Sequence, residues 1–472
     1  MIIPERWLKR SGNYRRAWGY SFHLTDDHLT EDEMYPMKFS YDTLGEEAYT
    51  ILNDLSQLQL KGISGSGVSS KEPGGKSTDS NRDLYILLRD NADANETLSK
   101  LWNEVKRVPP WVDWAQIARG QDVFYRYGGP ILTGLAFQSL LGGMGAARVV
   151  ETLARTGGFS AKVARHRLFE TTQHILQCTQ SLASIQPGGA GFQSSIRVRL
   201  LHAAVRQRIM RLARERPEYY SVEKYGIPIN DLDSIATIGT FSATLIWLSL
   251  PRQGIWMTRQ EVVDYIALWR YIAYLVGSPT EPFETPEKAK KVMEVLLLYE
   301  IHPTETSKIL AKNIITSLSA QPPSFASVEF LEVTSRFLNG NELSDALGLG
   351  RPGFYYWALS VGQALFFMFI CYTYRSIPYL DRRKITALRK IFWKVIVENK
   401  HGLGGEESSF EFKYIPDLSK STQIDDAPES GVKQPGVERR NLETLTIACI
   451  IVGVLAYFAW KILVVMGQRF LS

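Results

Sequence analysis

Residues 196–209 read IRVRLLHAAVRQRI, and this stretch indicates the fold most directly. At 100° per residue, its apolar side chains collect on one side of a helix, and a single histidine lies among them. That side consists of Val198, His202, Val205, Ile209 and Leu212. Arginines fall mostly on the opposite side. The stretch therefore predicts a helix that turns its apolar side, and with it His202, toward a core.

His202 has two interpretations at this position. It can be an ordinary core histidine whose ring hydrogen-bonds to a carbonyl group. Alternatively, a neutral imidazole in an apolar pocket can bind a haem iron through one nitrogen while a hydrogen bond orients the other. The residues of this helix alone leave both interpretations open.

A polar strip marks the predicted helix that precedes it, RHRLFETTQH at residues 165–174. Offsets of three, four and seven place Arg167, Glu170, Thr171 and His174 on one helical side. Such a strip is either solvated or directed inward, where its groups need polar or charged partners. Beside a haem, Arg167 could neutralise a propionate and Thr171 could donate a hydrogen bond.

Helical patterns dominate the rest of the chain, and alternation typical of strands is scarce. Residues 235–250 predict one helix, stopped by Pro251. Thr285 and Pro286 begin another, which runs to Ile301, because a threonine caps free N–H groups and a proline suits the first helical position. We therefore predict an all-α protein with a globin-like helical domain and about a dozen helices.

Two segments without apolar spacing divide the chain. Residues 61–82 are rich in glycine and serine and predict a flexible insertion, whereas residues 404–440 are polar, contain three prolines and predict a flexible linker. They delimit an N-terminal helical extension, 1–60, and the main helical domain, 83–403.

A membrane anchor is predicted near the C-terminus. Residues 445–466 carry a single charge, Lys461, and as a helix would rise about 33 Å, enough for a hydrocarbon core of about 30 Å. The N-terminal residues lack the apolar run of a secretory signal peptide. We expect a tail-anchored, single-pass protein of the endoplasmic reticulum membrane with its main domain in the cytosol.

A second uncharged run extends from Phe354 to Tyr374 and is long enough to span a bilayer. Polar residues such as Ser360, Gln363 and Thr373 interrupt it. We predict a central buried helix here, with a second membrane span as the alternative.

Composition excludes several classes of protein. The 472 residues carry a formal charge of only +5, with no concentrated basic face, so we do not expect a nucleic-acid partner. Cys178, Cys371 and Cys449 lie far apart, which excludes a disulfide framework and a thiolate metal centre from this chain alone.

The order of several short segments resembles the family of the ER-bound oxygenase mpaB and the rubber oxygenases, or latex-clearing proteins. The resemblance covers roughly residues 111–380. The segments that carry it are Trp111-x-Asp113, Arg119-Gly120-Gln121, Ser139-Leu140-Leu141-Gly142-Gly143, Glu151, Arg167-x-x-Glu170-Thr171, Leu201-His202, Gly226-Ile-Pro-Ile-Asn230 and Trp269-Arg270 through Gly277.

The resemblance implies a globin-like helical core that binds one haem b, with His202 as the axial metal ligand. It further implies that Arg167 and Thr171 line the haem pocket and that Glu151 is a candidate base. At Glu170 the rubber oxygenases carry a lysine that can cap the iron, so this carboxylate resembles the mpaB-type branch, and polymer cleavage does not carry over.

The implied function is a haem-dependent oxidoreductase, an oxygenase that uses dioxygen to oxidise or cleave a C=C bond of a prenylated or other lipophilic substrate at the membrane. Glu151 or Glu170 would remove an allylic proton. Two alternatives stay open: a non-haem metalloenzyme that uses Glu170 and His174, and a membrane-anchored helical protein without enzymatic activity.

Overall fold

Helices make up 72% of the structure and strands 2%, which confirms the all-α prediction. The computed structural model describes the backbone of residues 12–65, 83–410 and 436–470, and the side chains of these residues except 59–65 and 464–470. Most of the predicted insertion and of the predicted linker, residues 66–82 and 411–435, therefore lies outside the described residues.

The α-helices are numbered here in chain order. They are α1 Glu31–Met34, α2 Thr43–Gly65, α3 Leu84–Asp90, α4 Glu96–Lys106, α5 Trp114–Arg126, α6 Gly128–Gly134, α7 Ala147–Thr156, α8 Ala164–Thr179, α9 Leu182–Ile185, α10 Ala190–Glu215, α11 Val222–Tyr225, α12 Asp231–Phe241, α13 Leu250–Arg252, α14 Arg259–Leu275, α15 Pro286–Tyr299, α16 Glu305–Leu318, α17 Val328–Ala346, α18 Phe354–Arg375, α19 Pro378–Trp393 and α20 Val437–Phe470.

Other regular elements are short. An antiparallel hairpin, β1 Tyr14–Ala17 and β2 Tyr20–His23, precedes the helices, with Tyr14 opposite His23. The 3₁₀ turns are Tyr35–Lys38, Pro217–Tyr219 and Glu281–Phe283, and the π-helical segments are Leu135–Leu141, Leu245–Ser249 and Lys394–Glu398.

The helix predicted from Thr285 is confirmed, because the Lys288 amide donates to the Thr285 hydroxyl at 3.2 Å and Pro286 opens α15. The single helix predicted for residues 235–250 is wrong. The chain breaks after α12, at Ser242, and the two halves meet at 41°. Pro251 does not stop the second half, because it lies in the first turn of α13, where a missing N–H is tolerated.

The segment Arg119-Gly120-Gln121 of α5 positions the neighbouring helices α14 and α8. Arg119 binds Asp264 of α14 through two hydrogen bonds of 2.8 and 2.9 Å, and Gly120 lies so close to the Asp264 backbone that a Cβ atom would overlap with it. Gln121 donates to the carbonyl oxygen of Cys178 at 2.8 Å. Helix α5 is thereby fastened to α14 on one side and to the end of α8 on the other.

Helix α18 is not the central buried helix that we predicted. Leu359 and Phe367 lie on its buried side, but Phe354 and Phe369 are 86% and 66% exposed on the other. The prediction was wrong because both sides of this helix are apolar, so its sequence pattern does not show which side is covered. Helix α18 lies at the surface of the protein.

Two described helices are long and apolar enough to cross a membrane, α18 and the Val437–Leu463 part of α20. A bent pair, α12 with the Leu245–Arg252 segment, would be a third if it acted as one span. Helix α20 begins against α18, where the Asn441 amide donates to Gln363 at 3.3 Å. From Cys449 to Leu463 all its side chains are exposed.

Candidate active site

Helices α8 and α10 run antiparallel and touch at one end. A Cβ atom on Gly191 would lie only 2.6 Å from the Gln177 carbonyl oxygen, so the helices meet here because Gly191 has no side chain. One turn farther, Nδ1 of His174 lies 2.9 Å from the Ser194 hydroxyl. Continued along both helices, this antiparallel register brings the start of α8 level with His202.

His202 lies on α10 within an apolar cluster. The cluster consists of buried Leu201, Val205, Ile209, Tyr220 and Phe410, with partly buried Val198 and Ile229 packed against it. Protein surrounds most of the imidazole, and part of the His202 surface stays accessible. Among the described residues, no side chain or carbonyl group hydrogen-bonds to the ring.

The charge state of His202 follows from this environment. Burial, with smaller contributions from the positive charges of Arg206 and Arg167, lowers its pKa to about 4. The imidazole is therefore neutral at physiological pH, with a nitrogen lone pair available to a metal. The described residues supply no carbonyl partner of the kind that an ordinary core histidine would have.

Glu170 is buried on α8 and is held by three neighbours. Arg167 donates to one carboxylate oxygen at 3.0 Å and the Ser408 hydroxyl donates to the other at 2.7 Å, while His166 lies 3.7 Å away. The residues of the predicted polar strip thus do not share one environment. Glu170 faces inward, whereas Thr171 is exposed and its hydroxyl donates back to the Arg167 carbonyl oxygen at 3.0 Å.

A strap formed by residues 406–410 crosses α8 and covers this region. Gln173 and Ser408 exchange two hydrogen bonds, of 2.8 and 3.2 Å, and Gln177 donates to Glu407 at 2.8 Å. Phe410 ends the strap, 5% exposed, with its ring centre 6.0 Å from that of His174. This part of the predicted linker is therefore packed against the helical body.

Glu151 lies on α7 and is linked to the apolar cluster through Arg155. It is buried and forms an ion pair of 2.6 Å with Arg155, whose guanidinium also donates to the Tyr219 carbonyl oxygen at 2.6 Å. The same guanidinium stacks 5.4 Å from the ring of Tyr220, which belongs to the cluster. In the described residues, no direct contact joins Glu151 to Glu170 or His202.

The alternative metal site at Glu170 and His174 gains no further ligand. No group of three His, Cys, Asp or Glu side chains in the described parts of the chain is placed to hold a metal ion. Burial lowers the pKa of His174 to about 4, and Cys178, whose sulfur lies 3.7 Å away, has its thiol pKa raised to about 12. These groups form a neutral pair with the serines of α10.

A separate groove of about 1040 Å³ opens between α4 and the end of α14. Asn95, Glu104, Arg107 and Tyr274 contribute to its lining. None of the candidate site residues borders it. This groove is therefore separate from the candidate active site at His202.

A family model described as "ER-bound oxygenase mpaB/B'/Rubber oxygenase, catalytic domain" matches residues 125–363, about half of the chain. The chain belongs to this oxygenase family. The resemblance found in the sequence is thus confirmed, and the matched region contains all five candidate site residues: Glu151, Arg167, Glu170, Thr171 and His202.

A solved structure of latex clearing protein in its closed state is similar to the chain, with a TM-score of 0.52 and 16% sequence identity. The match covers 75% of this chain and 91% of latex clearing protein. At this identity the likeness shows the shared helical fold. No curated protein matches the chain.

Three residues of the candidate site are not predicted from the sequence. Ser408 and Phe410 belong to the segment that the sequence predicts as a flexible linker. The aromatic side chain of Phe410 is the one signal that could have indicated packing there. Tyr220 carried no signal, since it follows α10 in an irregular segment. All three come to the site from segments outside α8 and α10.

Proposed function

We propose that this chain is a haem b-dependent oxygenase that oxidises or cleaves a C=C bond of a lipophilic, isoprenoid-type substrate, with residues 83–403 as its catalytic domain. The observation that carries the proposal is His202. Its ring is neutral, lies among apolar side chains and has no hydrogen-bond partner among the described residues. A histidine that is prepared to bind iron needs these properties.

The residues around His202 fit a haem group. His202 would hold the haem iron, and Arg167, whose positive charge lowers the pKa of His202, would neutralise a propionate. Thr171 would lie at the outer rim of the pocket, since its side chain is exposed. Bound haem would supply the chemistry that activates dioxygen, with reactivity set by the polarity of the pocket.

Glu170 is the better candidate for the base. It lies on α8, the helix that faces His202, and its carboxylate is held in place by Arg167 and Ser408. There it would accept an allylic proton from the substrate. Glu151 would act through Arg155, and we propose that it positions Tyr220 of the cluster.

The apolar cluster would bind the substrate chain and exclude water. Val205, Ile209 and Tyr220 are buried and carry no charge, an environment that suits a hydrocarbon chain better than a polar metabolite. Cleavage of one double bond by one molecule of dioxygen would give two carbonyl groups, and Glu170 would return the proton that it had accepted, so all atoms are accounted for.

Membrane attachment is a second part of the proposal. The exposed apolar side chains of α20, from Cys449 to Leu463, would cost free energy in water and support a single anchoring span. We propose that this span lies in the endoplasmic reticulum membrane, with the catalytic domain on the cytosolic side. Location next to lipid would supply a lipophilic substrate directly.

The absorption spectrum of the purified full-length protein tests the haem assignment. We expect a Soret band that shifts when the reduced protein binds carbon monoxide, and we expect His202→Ala to lose most bound haem. His302→Ala is the matched control, because His302 is exposed and bonded to its own helix end. A colourless wild-type protein from haem-replete cells, or full haem content in His202→Ala, would contradict the proposal.

A further inference from the structure

Four large apolar side chains are exposed together near the end of α18. They are Trp256, Phe369, Ile377 and Tyr379, which are 59%, 66%, 47% and 65% exposed. We name these four residues the aromatic patch. Soluble surfaces rarely leave such a group uncovered, so the patch indicates a partner.

Hydrogen bonds hold the patch in one arrangement. The hydroxyl of Tyr372 accepts from the Trp256 amide and donates to the Gly254 carbonyl oxygen, both at 3.1 Å. Arg375 donates to the Trp256 carbonyl oxygen at 3.0 Å, and Ile377 follows two residues later. The loop that carries Trp256 is thus fastened to the end of α18, and the exposed rings do not depend on a mobile segment.

The direction of α20 identifies the partner. Helix α20 runs parallel to α18, since Glu438 lies near Tyr356 and the Asn441 carbonyl oxygen contacts Gly362. From Cys449 onward α20 leaves the protein body, on the side toward which α18 also points. The end of α18 that bears the patch therefore faces the membrane that α20 would enter.

Charges next to the patch suit a lipid surface. Arg382 and Arg383 are exposed one turn after Tyr379, whereas the nearby Asp381 is buried and bound to Arg126 at 2.8 Å. Exposed arginines attract anionic headgroups, and tryptophan and tyrosine favour the boundary between headgroups and hydrocarbon.

The same end of α18 argues against a second membrane span. Arg375 lies 3.7 Å from Glu261, and Arg126 links Glu261 to Asp381 through an ion pair on each side. Four charged side chains at this level would be costly in the middle of a bilayer. Contact at the depth of the headgroups avoids that cost.

We propose that the aromatic patch is a membrane-binding surface that seats the catalytic domain on an anionic phospholipid leaflet, beside the anchor α20. The inference rests on the proposed membrane attachment and extends it from one helix to the protein body. Helix α18 then lies against the bilayer without crossing it.

Site-specific fluorescence of the full-length protein in vesicles tests this surface. Cys178 and Cys371 are buried, so the fluorescent label NBD reacts with the exposed native Cys449 in α20. In a Cys449→Ser background, it reacts instead with a single introduced cysteine. We expect labels at Phe369→Cys and Tyr379→Cys to shift to the blue, to resist iodide, and to be quenched most by nitroxides near the headgroups. Asp93→Cys, exposed in the turn before α4, is the control and should behave as in water.

Each contrary outcome has a separate meaning. The label on Cys449 can be in lipid while iodide quenches the labels at Phe369→Cys and Tyr379→Cys as strongly as the label at Asp93→Cys. That result would refute the membrane-binding surface and leave the anchor α20 in place. If Cys449 itself is in water, the anchor fails, and the surface with it. Strongest quenching of Phe369→Cys by nitroxides at the acyl-chain end would show that α18 spans the bilayer.

Vesicle composition tests the headgroup preference. We expect phosphatidylserine to increase the blue shift of the Tyr379→Cys label over that in pure phosphatidylcholine. The double substitution Arg382→Gln and Arg383→Gln should abolish this increase. An increase that persists unchanged in the double variant would overturn the assignment of an anionic leaflet.

Discussion

Phe410→Ala should release the strap that covers α8. Phe410 is 5% exposed within the cluster around His202, and a buried phenylalanine side chain contributes about 2 kcal/mol by removing apolar surface from water. Position 410 has a left-handed backbone conformation, φ 56°, which phenylalanine and alanine would both have to adopt. The substitution therefore relieves no backbone strain that would offset this loss. The ratio of closed to open strap should fall roughly thirtyfold.

Amide hydrogen exchange measures this release directly. The Ser408 amide donates to Gln173 of α8, so it exchanges only when the strap opens. We expect exchange in residues 406–410 to become roughly thirtyfold faster in Phe410→Ala. The same variant, once loaded with haem, should also transfer haem faster to an acceptor protein.

The control for this experiment is Phe354→Ala, which removes an equally large ring that is 86% exposed. It should leave exchange in the strap unchanged. Unaltered protection of Ser408 in Phe410→Ala would refute the reasoning, because the hydrogen bonds alone would then hold the strap and Phe410 would contribute nothing to closure.

Three further predictions concern stability and orientation. His174 takes up a proton near pH 6.5 in the unfolded chain, but burial lowers its pKa to about 4 in the folded protein. The unfolded state therefore binds more protons between pH 6.5 and 4, and urea denaturation should show the free energy of unfolding falling as the pH decreases through this range. The fall should be smaller in His174→Gln. Gly191→Ala should lower the free energy of unfolding by about 1–3 kcal/mol because its Cβ meets the α8 backbone, whereas Gly239→Ala, with open space around it, should not destabilise the protein. Protease added to intact microsomes should digest the catalytic domain; full protection would contradict the cytosolic orientation.

The local part of the site was predictable from the sequence. Helical spacing placed His202 among Val205 and Ile209, and the structure groups these two residues in one buried cluster. The same spacing put Glu170 and Thr171 on one side of α8, but it could not show that the boundary between core and solvent runs between them. That boundary depends on Ser408, which lies 238 residues away in sequence.

The sequence by itself determined the helical class, the family, the inward direction of His202 and the apolar helix near the C-terminus, because the 3.6-residue period and apolar length are properties of neighbouring residues. Only the tertiary structure decided that α18 lies at the surface, that the strap ends with Phe410 in the cluster, and that Glu170 binds Ser408 of the strap. These features arise from contacts between distant segments. Their free energies depend on which surfaces remain uncovered once the helices have packed.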